Sequence, residues 1–143
     1  MPSAARLLRY AWAAPYSLLG LAIGGVGMLF GAKARRHHGV VEIAGGRIGK
    51  ALTGLRPFGF SAMTLGHVIL AVDRSALAQL RTHEHVHVRQ YERWGPLFLP
   101  AYFLSSLMQL LRGRNPYREN HFERQAYAAV AARRRTARDT PRG

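Results

Sequence analysis

The chain has 143 residues and no cysteine, which is one domain's worth with room for one modest core, and this excludes both a disulfide framework and a thiolate metal site. Lys and Arg number 21 against seven Asp and Glu, for a net charge of +14, and every cation except Lys33 and Lys50 is Arg. That balance suits anionic lipid headgroups or nucleic-acid phosphate without choosing between them, and any metal must use His and carboxylate ligands.

Residues 11–32 carry no charge and are bracketed by Arg6 and Arg9 before and by Lys33, Arg35 and Arg36 after. The run is long enough to cross a bilayer core of about 30 Å. Gly20, Gly24, Gly27 and Gly31 recur every three or four residues, a small-residue stripe along which another helix can approach closely. A membrane-inserted segment, a buried helix and a signal peptide all fit this pattern, and arginines on both flanks leave the orientation open. From Gly39 the pattern turns to strand: Val40, Val41 and Ile43 lead to Gly45-Gly46 and then Arg47, Ile48 and Leu52, which predicts a β-hairpin with a glycine turn. Residues 62–72, with Thr64, Val68, Ile69 and Val72, predict a further strand. His67 within it reads as a packing or surface histidine rather than a metal ligand. Asp73 or Ser75 is placed to cap a helix that ends near Gly95-Pro96.

That helix contains His83-Glu84-His85-Val86-His87, a His-Glu-x-x-His pattern. Residues four apart stack on one helix face, so His83 and His87 can aim two imidazole nitrogens at one zinc ion, with Glu84 beside the metal as general base for a water. At 100° per residue, Ala76, Leu80, Glu84, His87, Tyr91 and Trp94 share one sector, while Arg81, His85, Arg89, Glu92 and Arg93 lie opposite. Only His85 therefore sits on the arginine side.

Residues 95–111 form a second uncharged run, whose length suits a core helix or an interfacial segment as well as a span. Arg114-Asn115-Pro116-Tyr117 is turn chemistry, a last helix is expected over residues 120–137, and the basic tail reads as a solvated end. A zinc site with two histidines needs a third protein ligand. Glu92 points away from the ligand face, Glu119 lies in the turn and Asp139 in the tail, which leaves Glu123. Asn120-x-x-Glu123 is equally a capping box, in which Glu123 would serve its own helix N-terminus.

On these residues the chain resembles the gluzincin branch of zinc metallopeptidases, especially their minimal bacterial forms. In those proteins His-Glu-x-x-His supplies two ligands and a later Glu-x-x-Ala helix the third, here Glu123-Arg124-Gln125-Ala126. The resemblance covers roughly residues 62–130 and extends to an uncharacterised bacterial family with hydrophobic segments around the same text. Where many gluzincins continue with Asp, this chain has Tyr127, and Tyr117 and Tyr91 are further candidates to polarise a substrate carbonyl. With the uncharged run and the basic tail read above, the expected architecture is an α+β zincin-like domain over residues 37–137, a hydrophobic N-terminal helix over residues 1–36 and a basic tail over residues 138–143. The resemblance implies one zinc on His83, His87 and Glu123, Glu84 as catalytic base and a peptide or protein substrate, while the two uncharged runs and the arginine excess lead to an expected association with a membrane, for a bacterial chain the inner one. The alternative expectation is a zinc-stabilised, membrane-associated scaffold without turnover. A nucleic-acid-binding module ranks last, since the basic residues are not interleaved with aromatics and no reading helix stands out.

Overall fold

The computed structural model describes residues 3–54 and 60–139. Its elements are α1 (Ala4–Leu29), β1 (Lys33–His37), β2 (Val40–Ala44), α2 (Gly46–Gly54), β3 (Ala62–Leu65), β4 (Val68–Ala71), α3 (Arg74–Trp94), a short 3₁₀ turn (Gly95–Leu97), α4 (Phe98–Leu111) and α5 (His121–Asp139). This is an α+β fold built on a four-stranded mixed sheet in the order β1-β2-β4-β3. The outer pairs are antiparallel and the central pair, β2 with β4, is parallel.

Both hairpins fall at places other than the one the glycines suggested. β1 and β2 are joined through His38 and Gly39, both at positive φ (48° and 83°), the combination that a two-residue hairpin loop matched to strand twist requires. The expected turn at Gly45-Gly46 is not a hairpin. Arg47 N–H donates to the Phe30 carbonyl, and a side chain on Gly46 would collide with the backbone of Phe30 and Gly31, so the two glycines end β2 against the end of α1. Ile48 and Leu52, expected in a strand, are buried on one face of α2, because their i, i+4 spacing is a helical period. The single strand expected over residues 62–72 is two, folded back at Gly66.

The sheet has a core on each face. Ile43, Leu65, Val68 and Leu70 pack with Ile48 and Leu52 of α2. Val40, Ala44, Ile69 and Ala71 pack with Leu77 and Val88 of α3. Gly20, Gly24 and Gly27 of the expected stripe are buried on α1, whereas Gly31 lies past the helix end and is exposed. What approaches the buried three is mainly the sheet and α2: a Cβ on Gly20 would lie 2.7 Å from that of Val68, and one on Gly24 or Gly27 would meet Ile43 or Ile48. The opposite face of α1 is apolar and exposed, including Leu7, Leu8, Leu18, Leu21, Val26 and Leu29. Ala4–Leu29 is long and apolar enough to cross a membrane. α4 also carries exposed leucines, Leu104, Leu107, Leu110 and Leu111.

His67 fastens α1 to the turn between β3 and β4. Its ring stacks on Tyr10 at 3.9 Å, its backbone N–H donates to Ser17 Oγ, and its Nε2 lies 3.0 Å from Glu92 Oε1. Glu92 is thus half-buried beneath α1 rather than turned to solvent.

Candidate metal centre

Asp73 starts α3: its side chain accepts from Ala76 N–H and supplies an acceptor to the exposed first turn. From there α3 runs back across the sheet, burying Leu77, His83, Glu84, Val86, His87, Val88, Gln90 and Tyr91. Trp94, expected on the inner face, is instead exposed near the helix end. α5 crosses α3 and carries Glu123 in its first turn. The side chain of Asn120 caps that helix by accepting from Phe122 N–H. The Glu123 carboxylate is thereby left out of the cap and turns inward.

His83, His87 and Glu123, all buried, each bring one ligand atom to within 4.8 Å of the others and can hold a metal ion. His83 Nε2 and His87 Nε2 are 3.1 Å apart, and they lie 3.0 Å and 3.4 Å from Glu123 Oε2 and Oε1. The His83 contact is close, yet no donor is aimed along it, so Glu123 Oε2 is buried without a hydrogen-bond partner among the described residues. Lone-pair atoms drawn together around a buried carboxylate oxygen lacking a donor are the setting a cation completes.

The surrounding hydrogen bonds fix the ligands. The Gln90 amide nitrogen donates to Phe122 O and Gln125 Oε1, so Gln90 Oε1 must be what faces His87 Nδ1 at 2.8 Å. Nδ1 therefore carries the proton and Nε2 presents its lone pair to the centre. The Tyr102 hydroxyl on α4 donates to Glu123 Oε1 at 2.7 Å. Burial pushes the Glu123 carboxyl up, but the imidazoles of His83 and His87, when protonated, and the Tyr102 hydroxyl outweigh it and hold the group below the ordinary carboxylate value. Burial alone would lower the His87 pKa, whereas Glu123 and Glu84 raise it above the ordinary value: the carboxylates favour positive charge at this point. The Tyr127 ring packs 4.7 Å from the His83 ring.

Glu84 is buried on the ligand face of α3. Thr64 Oγ1, on β3, donates to its Oε2 at 2.7 Å, which orients the carboxylate and leaves the other oxygen free of that bond. Glu84 and His83 line two adjoining cavities, one of 560 Å³ toward Arg118 and one of 220 Å³ toward α4. Tyr117 lines both cavities, whereas Tyr91 lines only the smaller one, and its buried hydroxyl has no partner among the described residues. His85 is outside the centre, half-buried beside Glu42 and His37. Gln90, Tyr102 and Thr64 were not anticipated from the sequence. Gln90 had a signal, lying one turn after His87 on the same helix face; Tyr102 and Thr64 reach the site only through tertiary packing.

No family model, curated protein or solved structure matches the chain. Geometry alone carries the functional reading.

Proposed function

We propose that the chain is a zinc-dependent peptidase held at a membrane surface. Two imidazole nitrogens and one carboxylate oxygen suit zinc and leave a coordination position for a catalytic role. The observation that carries the reading is Glu84, a buried carboxylate on the ligand face that belongs to no ligand set and opens onto a cavity large enough for an extended peptide. A buried charge is costly to hold, and an apolar residue would fill the position at less cost.

Zinc, when bound, supplies Lewis acidity to a scissile carbonyl and acidifies a water. Glu84 then accepts a proton from the attacking water and delivers it to the departing amine, while Thr64 holds the carboxylate in line for both transfers. Gln90 keeps His87 in the ligating tautomer, and Tyr102 keeps Glu123 ionised and oriented. Tyr117, at the junction of the two cavities, is the tyrosine best placed to donate to a developing oxyanion.

Glu84→Gln tests the assignment, since it keeps size and shape without a base. Zinc content and folding stay near wild type, while hydrolysis of a mixed-peptide substrate falls by roughly 10² to 10⁴. Full zinc content with no hydrolysis above the Glu84→Gln background returns the chain to the zinc-stabilised scaffold.

A further inference from the structure

The two cavities at Glu84 differ in chemistry. Ser61, Asn115 and Arg118 line the larger one, whereas Tyr91, Phe98, Leu99 and Phe103 line the smaller. Their common wall is β3, an end strand of the sheet with no neighbour on its outer side among the described residues. Val72 N–H donates to Ser61 O, which fixes the alternation. Positions 61, 63 and 65 bond to β4, and Ala62 and Thr64 turn their backbone N–H and C=O groups outward, next to Glu84.

The apolar cavity opens on the lipid-compatible side of the molecule. Phe103 lines it and is 64 % exposed on α4, on the same helix as exposed Leu104, Leu107 and Leu111. The 3₁₀ turn that leads into α4 packs on α1, with Gly95 against Trp12, and Trp12, Trp94 and Leu97 beside this junction are exposed. An apolar surface of that extent, flanked by Arg6, Arg9 and Lys33, complements an anionic bilayer. Arg118, lining the other cavity, is exposed to water.

Resting on the peptidase reading of this same site, we propose that its substrate is the juxtamembrane stretch of a membrane-anchored polypeptide. It binds extended along β3, with apolar residues before the scissile bond and acidic residues after it. The chain direction follows from antiparallel pairing, which is more stable per residue than parallel. The substrate's N-terminal side then passes Thr64 toward Leu99 and Phe103 in the apolar cavity, and its C-terminal side passes Ser61 toward Arg118. Outward N–H and C=O groups of Ala62 and Thr64 hold the main chain, and the two cavities select the side chains.

The test uses the full chain carrying Glu84→Gln, loaded with zinc and bound to phosphatidylglycerol/phosphatidylcholine vesicles, so that binding is read without turnover. A fluorescent peptide with a Leu/Phe-rich half followed by an Asp/Glu-rich half is compared with its reversed order and with a scramble of the same composition. Anisotropy should show about tenfold tighter binding of the first peptide than of either control. Phe103→Ser and Arg118→Glu, both at exposed positions where folding is not at stake, each remove most of that preference. Equal affinity for the three peptides, or preference for the reversed order, overturns the proposal. Hydrolysis of mixed peptides by wild type alongside equal affinities would leave the peptidase reading intact. The ordered preference with a wild type that cleaves nothing would keep the ligand class and discard the enzyme.

Discussion

Gln90 binds no metal, yet it decides which nitrogen of His87 is bare. Its amide nitrogen is committed to Phe122 O and Gln125 Oε1, so its oxygen can only accept, and His87 is locked with Nε2 toward Glu123. Gln90→Leu keeps the volume and frees the tautomer; zinc affinity, measured by competition with a chromophoric chelator, is expected to fall about 10- to 100-fold. His83→Ala and His87→Ala abolish binding in the same assay. His85→Ala does not, because that ring faces Glu42 on the far side of α3. Glu123→Gln retains one oxygen but loses the charge and weakens zinc strongly, while its helix keeps the Asn120 cap. The group that can hold a metal ion was legible in the sequence because helical spacing alone sets His83 over His87, and Glu123 was left by elimination. Tyr102 and Thr64 were not, because each lies in an apolar run and finds its partner 21 or 20 residues away.

Among the elements, the docking of α1 and α3 on opposite faces of the sheet sets the site, and each contact has its own weak point. Gly20 meets Val68 Cβ and the backbone of Leu65, whereas Gly25 faces open space. Gly20→Ala should destabilise by about 1–3 kcal/mol through overpacking, and Gly25→Ala should stabilise by roughly 0.5–1 kcal/mol through helix propensity. Thermal unfolding of the two variants separates packing from propensity. On the other face, Arg81 of α3 donates from Nε (2.7 Å) and a terminal nitrogen (3.0 Å) to buried Glu42 of β2. Burial pushes the Glu42 carboxyl up, but Arg81, aided by His37 and His85, outweighs it and the pKa lies below the ordinary 4.5. A carboxyl lowered on folding stabilises above its unfolded pKa, and that contribution is lost as pH falls through the folded value. Arg81→Ala leaves the carboxylate buried and unpaired, at a cost of about 3 kcal/mol near neutrality. Without Arg81 burial lifts the carboxyl above its ordinary value, so the gap to wild type, followed by urea unfolding, should begin to narrow above pH 4.5 and close as the pH falls through the lowered wild-type value. The sequence conveyed the α+β class and the long helices through period and caps. It misled at Gly45-Gly46 because a glycine pair looks alike whether it turns a hairpin or lets a helix end press against a strand end.

On the scale of the whole molecule, one side of the fold is apolar and unpartnered among the described residues, and the geometry of α1 limits how a membrane can cover it. Were α1 to cross the bilayer as an isolated helix, its glycine face would leave Val68, Ile43 and Ile48, and the sheet core beneath would open. An α1 that lies in the interface keeps those contacts and sinks only its outward leucines, with α4 alongside, about 5–10 Å into the headgroup boundary. The two arrangements make different demands on α4. A spanning α1 anchors the chain by itself, so charges on α4 should not release it. An interfacial pair needs both faces, and Leu104→Glu, Leu107→Glu and Leu111→Glu together, all at exposed positions, should free most of the protein from vesicles. Flotation of the full chain with phosphatidylglycerol vesicles reads the difference. Wild type is expected to float in 1 M salt, which on the order of 3 Å of screening length strips purely electrostatic binders, and to be released by detergent. The triple variant is expected to stay at the bottom of the gradient with its zinc retained. If it floats like wild type, α1 spans and the sheet face must be rebuilt in the membrane. If wild type itself stays down at low salt, the apolar side is covered by something other than lipid.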